Sequence, residues 1–204
     1  MVQALEQGLI DGKAQGIADA TGLSADGRSS YYAQKLMRSK GDKYKKTKQY
    51  KIPKWPKINA IIHAQSHLIV SAIIDEGPSH DSPALPGLLK QASRRLHFDI
   101  LLADSGYDSE EHHRLARQDY KIRSSVIALN PRNQGRRWPM TKYRRQMKRR
   151  FPRHVYNRRS QVESVWSRKK RRLGWVLSSK SKEAQELECQ NKVLTYNLMI
   201  LAFG

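Results

Sequence analysis

A single acidic residue, Glu163, stands in the stretch from Tyr120 to Lys182, which is otherwise crowded with Lys and Arg. Basic side chains at this density suit phosphate groups. A carboxylate among them opposes that role unless it holds a metal ion, which bridges carboxylate and phosphate oxygens. Two further acids stand where apolar runs end. Asp19 follows Ile17-Ala18 and precedes a turn with Gly22; Asp104 follows Ile100-Leu101-Leu102-Ala103 and precedes Ser105-Gly106. An Asp at the end of an apolar strand is costly unless it is paired or metal-bound. Two divalent ions about 4 Å apart need several oxygen ligands from separate elements, and Asp19, Asp104 and Glu163 form the candidate set. Each Asp taken singly also reads as a turn-former bonded to nearby backbone. Glu163 also reads as an incidental acid on a basic helix, ion-paired one turn back to Arg159.

The other candidates are weaker. Asp81 lies in the Pro- and Gly-containing loop EGPSHDSP, and Asp108 precedes a helix that it helps to start; both read as structural. His63 and His67 have i, i+4 spacing, which on a helix suits zinc, but their flanks read as strands, where that spacing loses its meaning. His112 and His113 are adjacent, point to different sides of a helix and read as solvated. Cys189, the only cysteine, excludes an intramolecular disulfide and a cysteine zinc cluster and reads as a helix-packing residue.

These acids need elements to carry them. From Val155 to about Arg172 the spacing predicts a helix. At roughly 100° per residue, Tyr156, Arg159, Glu163 and Lys170 fall within an arc of about 60°. Val155, Val162, Trp166 and Leu173 share a neighbouring arc of about 40°, so one stripe can pack on a sheet while the other sits at its edge. IADATGL (17–23) reads as a short strand ending at Gly22. Residues 24–57 are polar, with a twisted strand expected near Gln49–Ile52. INAIIH (58–63) and HLIVSAII (67–74) read as a hairpin. ALPGLLKQASRRL has helical spacing with Leu85, Leu88, Leu89 and Leu96 on one side. FDILLADSGYD reads as a buried strand entering a polar turn, DSEEHHRLARQ as a helix with Ser109 as N-cap, and KIRSSVIAL (121–129) as a strand. Residues 130–153 read as a basic, Pro-interrupted connector, which as a link between the last strand and the Glu163 helix extends to about 155, and a last helix spans Glu183 to about Leu201. Strands first, then alternating strand and helix, predict an α/β fold: a mixed sheet with helices on both faces in one domain over 1–204.

Composition bounds the function. The 204 residues carry 39 Lys and Arg against 18 Asp and Glu, a formal net charge of +21. Such an excess repels itself in a compact fold and is relieved by a polyanion, of which nucleic acid is the commonest. Ribosomal and basic membrane-surface proteins share the feature. The opening residues hold no signal-peptide run, and the longest apolar stretch, VLTYNLMILAF, is too short to span a bilayer. The chain is therefore expected to be soluble, cytoplasmic and not bound to membrane.

The stretch YNRRSQVESVWSRKK places Tyr156, Arg159, Glu163 and Lys170 at the spacing Y-x2-R-x3-E-x6-K. This resembles the signature of bacterial and archaeal insertion-sequence DDE transposases of the YREK type. ADSGYD is similar to the family's block around the second acid, here Asp104, and IADATG to the strand carrying the first, here Asp19. The three blocks stand in the family's order, and the resemblance runs from about residue 15 to 204. It implies a ribonuclease-H-like fold in which the first and fourth strands are neighbours. It implies Mg²⁺ or Mn²⁺, two ions, held by Asp19, Asp104 and Glu163, with metal-dependent DNA cleavage and strand transfer at transposon ends. It implies DNA contacts by Tyr156, Arg159 and Lys170, with Arg158 and Arg168 beside them, a homodimer on paired DNA ends, and a nucleoid-associated protein of a prokaryote. Members carry an N-terminal end-recognising region. Only 18 residues precede Asp19 here, so that region is expected to be missing. The alternatives are a catalytically inactive DNA-binding remnant and a basic structural protein, the latter requiring no clustering of the acids.

Overall fold

A computed structural model describes residues 2–10, 14–25, 54–131 and 138–203. After a short helix α1 (Val2–Glu6), the chain forms β1 (Gln15–Gly22), β2 (Trp55–His63) and β3 (Ile69–Gly77). Helix α2 (Leu85–Ser93) leads to β4 (Ile100–Ala103), α3 (Glu110–Arg114) and β5 (Ser124–Ile127). Helices α4 (Lys142–Arg149), α5 (Arg153–Tyr156), α6 (Gln161–Leu173) and α7 (Lys182–Phe203) complete it. The strand expected near Gln49–Ile52 lies outside the described residues.

The five strands form one sheet in the order β3-β2-β1-β4-β5. β2 pairs antiparallel with β1 and β3, while β1, β4 and β5 run parallel. The hairpin follows from the β-branched runs of β2 and β3, which suit a pleated surface buried on both sides. Pro56, which has no N–H to give to a ladder, stands at the start of β2 opposite Glu76, beyond the last β1 pair, Gly22 with Lys57.

Both faces of the sheet are covered, because successive side chains point to opposite faces. Ile17, Ile58, Ile62, Leu102 and Val126 pack on one side with Val162, Val165 and Trp166 of α6 and Tyr196 and Ile200 of α7. Ala18, Ile61, Leu101, Ala103 and Ile127 pack on the other with Leu85, Leu88 and Leu89 of α2. This is the mixed α/β, ribonuclease-H-like arrangement expected, with β1 and β4 adjacent. Among the described residues no helix is long and apolar enough to cross a membrane.

Four local expectations are corrected. Within the basic connector, Lys142–Arg149 form α4, with Tyr143 and Met147 buried. The helix after Ser109, which does cap it by accepting from Glu111 N, is α-helical only to Arg114 and widens to a π-turn over Leu115–Asp119. The helix expected from Val155 opens instead as α5 and a 3-10 turn, Asn157–Ser160, before α6. His112 and His113 are buried, not solvated. His112 Nδ1 donates to the Tyr107 carbonyl at 2.9 Å, and His113 Nδ1 shares a 2.7 Å hydrogen bond with Ser125 Oγ on β5. Burial pushes the His113 imidazole down to about 4, with the Arg117 charge acting the same way.

Candidate active site

β1 and β4 run parallel, and their last paired residues are Ala18 and Ala103. Asp19 and Asp104 are the next residue on each, so the two acids stand beside one another where β4 ends and β1 continues alongside β2 to Gly22. Asp104 leaves β4 in extended conformation, and its Oδ1 accepts from Gly106 N at 2.8 Å, opening the 3-10 turn Ser105–Tyr107. Gly106 leaves room for this bond: a Cβ there would lie 3.0 Å from that same Oδ1, which would have to give way. Asp104 is thus held by the turn-forming bond that short polar side chains favour.

Asp19 is held from the opposite layer. Trp166 Nε1 on α6 donates to its Oδ2 at 2.9 Å. The Arg159 guanidinium lies 3.7 Å from Oδ1. Burial, with the Asp104 charge adding to it, raises the Asp19 carboxyl to about 6, although the Trp166 bond and the Arg159 charge pull the other way. Such a pocket favours the neutral carboxyl, and a cation beside it favours the charged one.

Glu163 lies in the first turn of α6, three residues before Trp166. Its side chain is 71% exposed, and its Oε1 is 3.8 Å from Arg159 Nη2. Arg159 therefore spans Asp19 and Glu163, and its guanidinium stacks 5.9 Å from the Tyr156 ring centroid. The i, i+4 ion pair from Glu163 to Arg159 is the one its helical spacing allows. Among the described residues no three His, Cys, Asp or Glu side chains stand close enough together to hold a metal ion. Asp19 and Asp104 are neighbours; Glu163 is linked to Asp19 through Arg159.

The remaining basic candidates divide. Tyr156 and Lys170 are half-buried and Arg158 is exposed. Arg168 is drawn 3.4 Å from His67 Nδ1. Exposed cations continue from this region through Lys148, Arg149, Arg150 and Arg153. Asp81 and Asp108 are structural, as expected. Asp81 Oδ1 accepts from the buried Lys57 at 2.8 Å. Asp108 does not start the next helix; its buried carboxylate takes a two-pronged hold from Arg144 at 2.8 and 2.9 Å and accepts from Asn130 N. His63 lies in β2, so its spacing from His67 has no helical meaning.

Two participants escaped sequence reasoning. Trp166 was legible as a packing residue and does pack, but its indole N–H also fixes Asp19; the hint was its place three residues after Glu163. Tyr107, three residues after Asp104, is fully buried. Burial pushes its hydroxyl well above the usual tyrosine range, with the charges of Asp81, Asp19 and Asp104 adding to it. The carboxylate oxygens of Asp19 and Asp104 are the donors that suit a hard divalent cation. The Arg159 cation already lying against two of the three acids is the same electrostatic demand met from within the chain.

Two comparisons bear on the site. A family model described as a transposase DDE domain matches residues 11–198. No solved structure matches the chain.

Proposed function

We propose, on the premise that this chain belongs to the transposase DDE domain family, that it cuts and joins DNA at transposon ends through divalent cations held by Asp19, Asp104 and Glu163. The observation that carries this reading is the abutment of Asp19, within β1, and Asp104, just past the end of its parallel neighbour β4, with α6 pinned to Asp19 by Trp166 one turn from Glu163. The donor set fits Mg²⁺ or Mn²⁺, two ions: the ligands are hard carboxylate oxygens, and the place between Asp19 and Glu163 already draws a cation. Bound there, the ions supply Lewis-acid activation of the attacking oxygen and stabilisation of the leaving one.

The chain's own residues orient the DNA. Arg159 leaves the acids for a backbone phosphate, for which its planar fork is suited. Tyr156 donates its hydroxyl or stacks on a base, and Arg158, Arg168 and Lys170 neutralise the flanking backbone. In cleavage, water attacks phosphorus and the P–O3′ bond breaks, leaving a 3′-hydroxyl and a 5′-phosphate; in joining, that hydroxyl attacks a target phosphorus and the target strand's own 3′-oxygen departs as a hydroxyl. The Y-x2-R-x3-E-x6-K spacing supports the YREK insertion-sequence type, acting as one domain over 1–204 beside the prokaryotic nucleoid.

The second reading is a DNA-binding remnant without catalysis. It is favoured by one observation: Arg159 neutralises Asp19 and Glu163, whose carboxylates do not converge unaided. The two readings separate on duplex DNA carrying the element's ends, incubated with Mn²⁺. The wild-type chain is expected to nick it, and Asp104→Asn combined with Glu163→Gln to lower the rate at least a hundredfold. Undiminished cleavage by that variant overturns the assignment. Salt-sensitive binding that metal does not alter, without cleavage, identifies the remnant.

A further inference from the structure

Asp19 and Asp104 are not held alike. Asp19 lies inside a ladder, opposite Ala60 of β2. Asp104 lies one residue past the paired run of β4, which ends at Ala103 on both sides, against Ala18 and against Ile127. Its carboxylate therefore stands where the following turn puts it. The bonds inside that turn run from Gly106 N to Asp104 Oδ1 at 2.8 Å, from Tyr107 N to the Asp104 carbonyl at 3.2 Å and from Asp108 N to the Ser105 carbonyl at 3.3 Å. They fix the shape of the turn but not its place.

The place is set at the far end of the turn. The Asp108 carboxylate is fully buried. Arg144 of α4 gives it two bonds, Nε to Oδ1 at 2.8 Å and Nη2 to Oδ2 at 2.9 Å, and Asn130 N, just past β5, gives a third at 2.8 Å. One side chain thus ties the Asp104 turn to α4 and to the segment after β5. Helix α4 is itself fixed by Glu110, which accepts from Tyr143 N and Arg144 N.

Stability alone does not account for this anchor. A buried ion pair is a weak source of stability, because the loss of hydration offsets the attraction. An apolar side chain at 144 would pack as well, as Tyr143 and Met147 do on the same helix. A guanidinium fork on a carboxylate supplies direction instead: two parallel bonds fix the distance and the angle of the acid together. Asp108 is thereby fixed four residues after Asp104, across a turn short enough to pass a displacement on.

We propose that Arg144 is a positioning residue: acting through Asp108, it sets where the Asp104 carboxylate stands, and so the geometry offered to a divalent cation. The link to the cation rests on the proposed function; the placement of Asp104 does not. The test reads Asp104 through the amide it accepts from. In the full chain without metal, the Gly106 amide resonance is compared between the wild type, Asp104→Ala, which lacks the acceptor, and Arg144→Lys, which keeps the charge but not the fork. Arg144→Lys is expected to move the Gly106 resonance toward its position in Asp104→Ala and to leave the amides of Ile17 and Ile61 in the sheet unmoved. Asp108→Leu with Arg144→Met removes both charges together, so that neither ion is left buried alone, and is expected to do the same. On end-containing duplex, Arg144→Lys is expected to raise the Mn²⁺ concentration for half-maximal nicking by about tenfold or more, as the loss of a side chain that orients a ligand does. Its DNA affinity in EDTA is expected to match the wild type. A Gly106 resonance unmoved in both variants overturns the proposal, whether or not the chain cuts DNA. A moved resonance with an unchanged Mn²⁺ requirement overturns the link to the cation. A moved resonance in a chain whose wild type does not nick supports the placement of Asp104 and counts against the proposed function instead.

Discussion

At the scale of single residues, the electrostatic state of Asp19 decides how the pocket behaves. Its carboxyl is raised from 3.8 to about 6, chiefly by burial. Between those values the folded chain binds a proton that the unfolded chain releases. This contribution to stability is therefore fully present below pH 3.8 and is lost as pH rises through 6. The shift corresponds to about 3 kcal/mol as an order of magnitude. Asp19→Asn should accordingly be the more stable protein at pH 7 in EDTA, and the difference should shrink toward pH 4. Denaturant unfolding at both pH values checks this; a variant no more stable than wild type at pH 7 refutes it. Asp19, Asp104 and Glu163 were legible as candidates because each breaks its surroundings, two following apolar runs and one standing among cations. What holds them was not legible. The Trp166 bond to Asp19 joins residues 147 apart in sequence. The double ion pair of Arg159 needed the sheet edge and the helix in one place.

At the scale of elements, the strands and long helices read out well because their apolar periods match the faces they bury: Leu85, Leu88 and Leu89 of α2 are buried as their spacing required. Helix α4 did not, because little in KYRRQMKR is apolar. Its first turn is held from afar by Glu110, whose carboxylate accepts from Tyr143 N and Arg144 N, while Asp108 holds the Arg144 side chain. The buried pair of histidines has the same origin: α3 is clasped between β5 and α4, and neither contact is local. Helix α6 also carries a cost. Lys169 is fully buried, its Nζ has no hydrogen-bond partner among the described residues, and burial pushes it down to about 8. The charged form weakens the fold below pH 8, and stability recovers as pH rises from 8 toward 10.5, where only the unfolded chain holds the proton. Lys169→Met should stabilise the protein at pH 7 by about 3 kcal/mol, an order-of-magnitude figure. It should also abolish the rise of stability between pH 8 and 10. Chemical denaturation across that range decides it; a destabilised variant would contradict the reading.

At the scale of the whole molecule, a +21 chain folds around two apolar layers and sets Asp19 beside Asp104 on neighbouring interior strands, with Arg159 reaching across to Asp19. The architecture was legible because strand and helix patterns alternate in an order that few folds accommodate. The final posture of Glu163 was not, since an exposed side chain on a helix turn answers to whatever charge is present. The central claim is that the three acids close on paired divalent ions when DNA supplies phosphate for Arg159. The most direct measurement is the anomalous scattering of Mn²⁺ in crystals of the chain bound to an end-containing duplex. The account expects manganese about 2.1 Å from carboxylate oxygens of Asp19, Asp104 and Glu163, with Arg159 moved onto a phosphate. Manganese bound elsewhere, or Arg159 still lying between Asp19 and Glu163 with DNA in place, would contradict it.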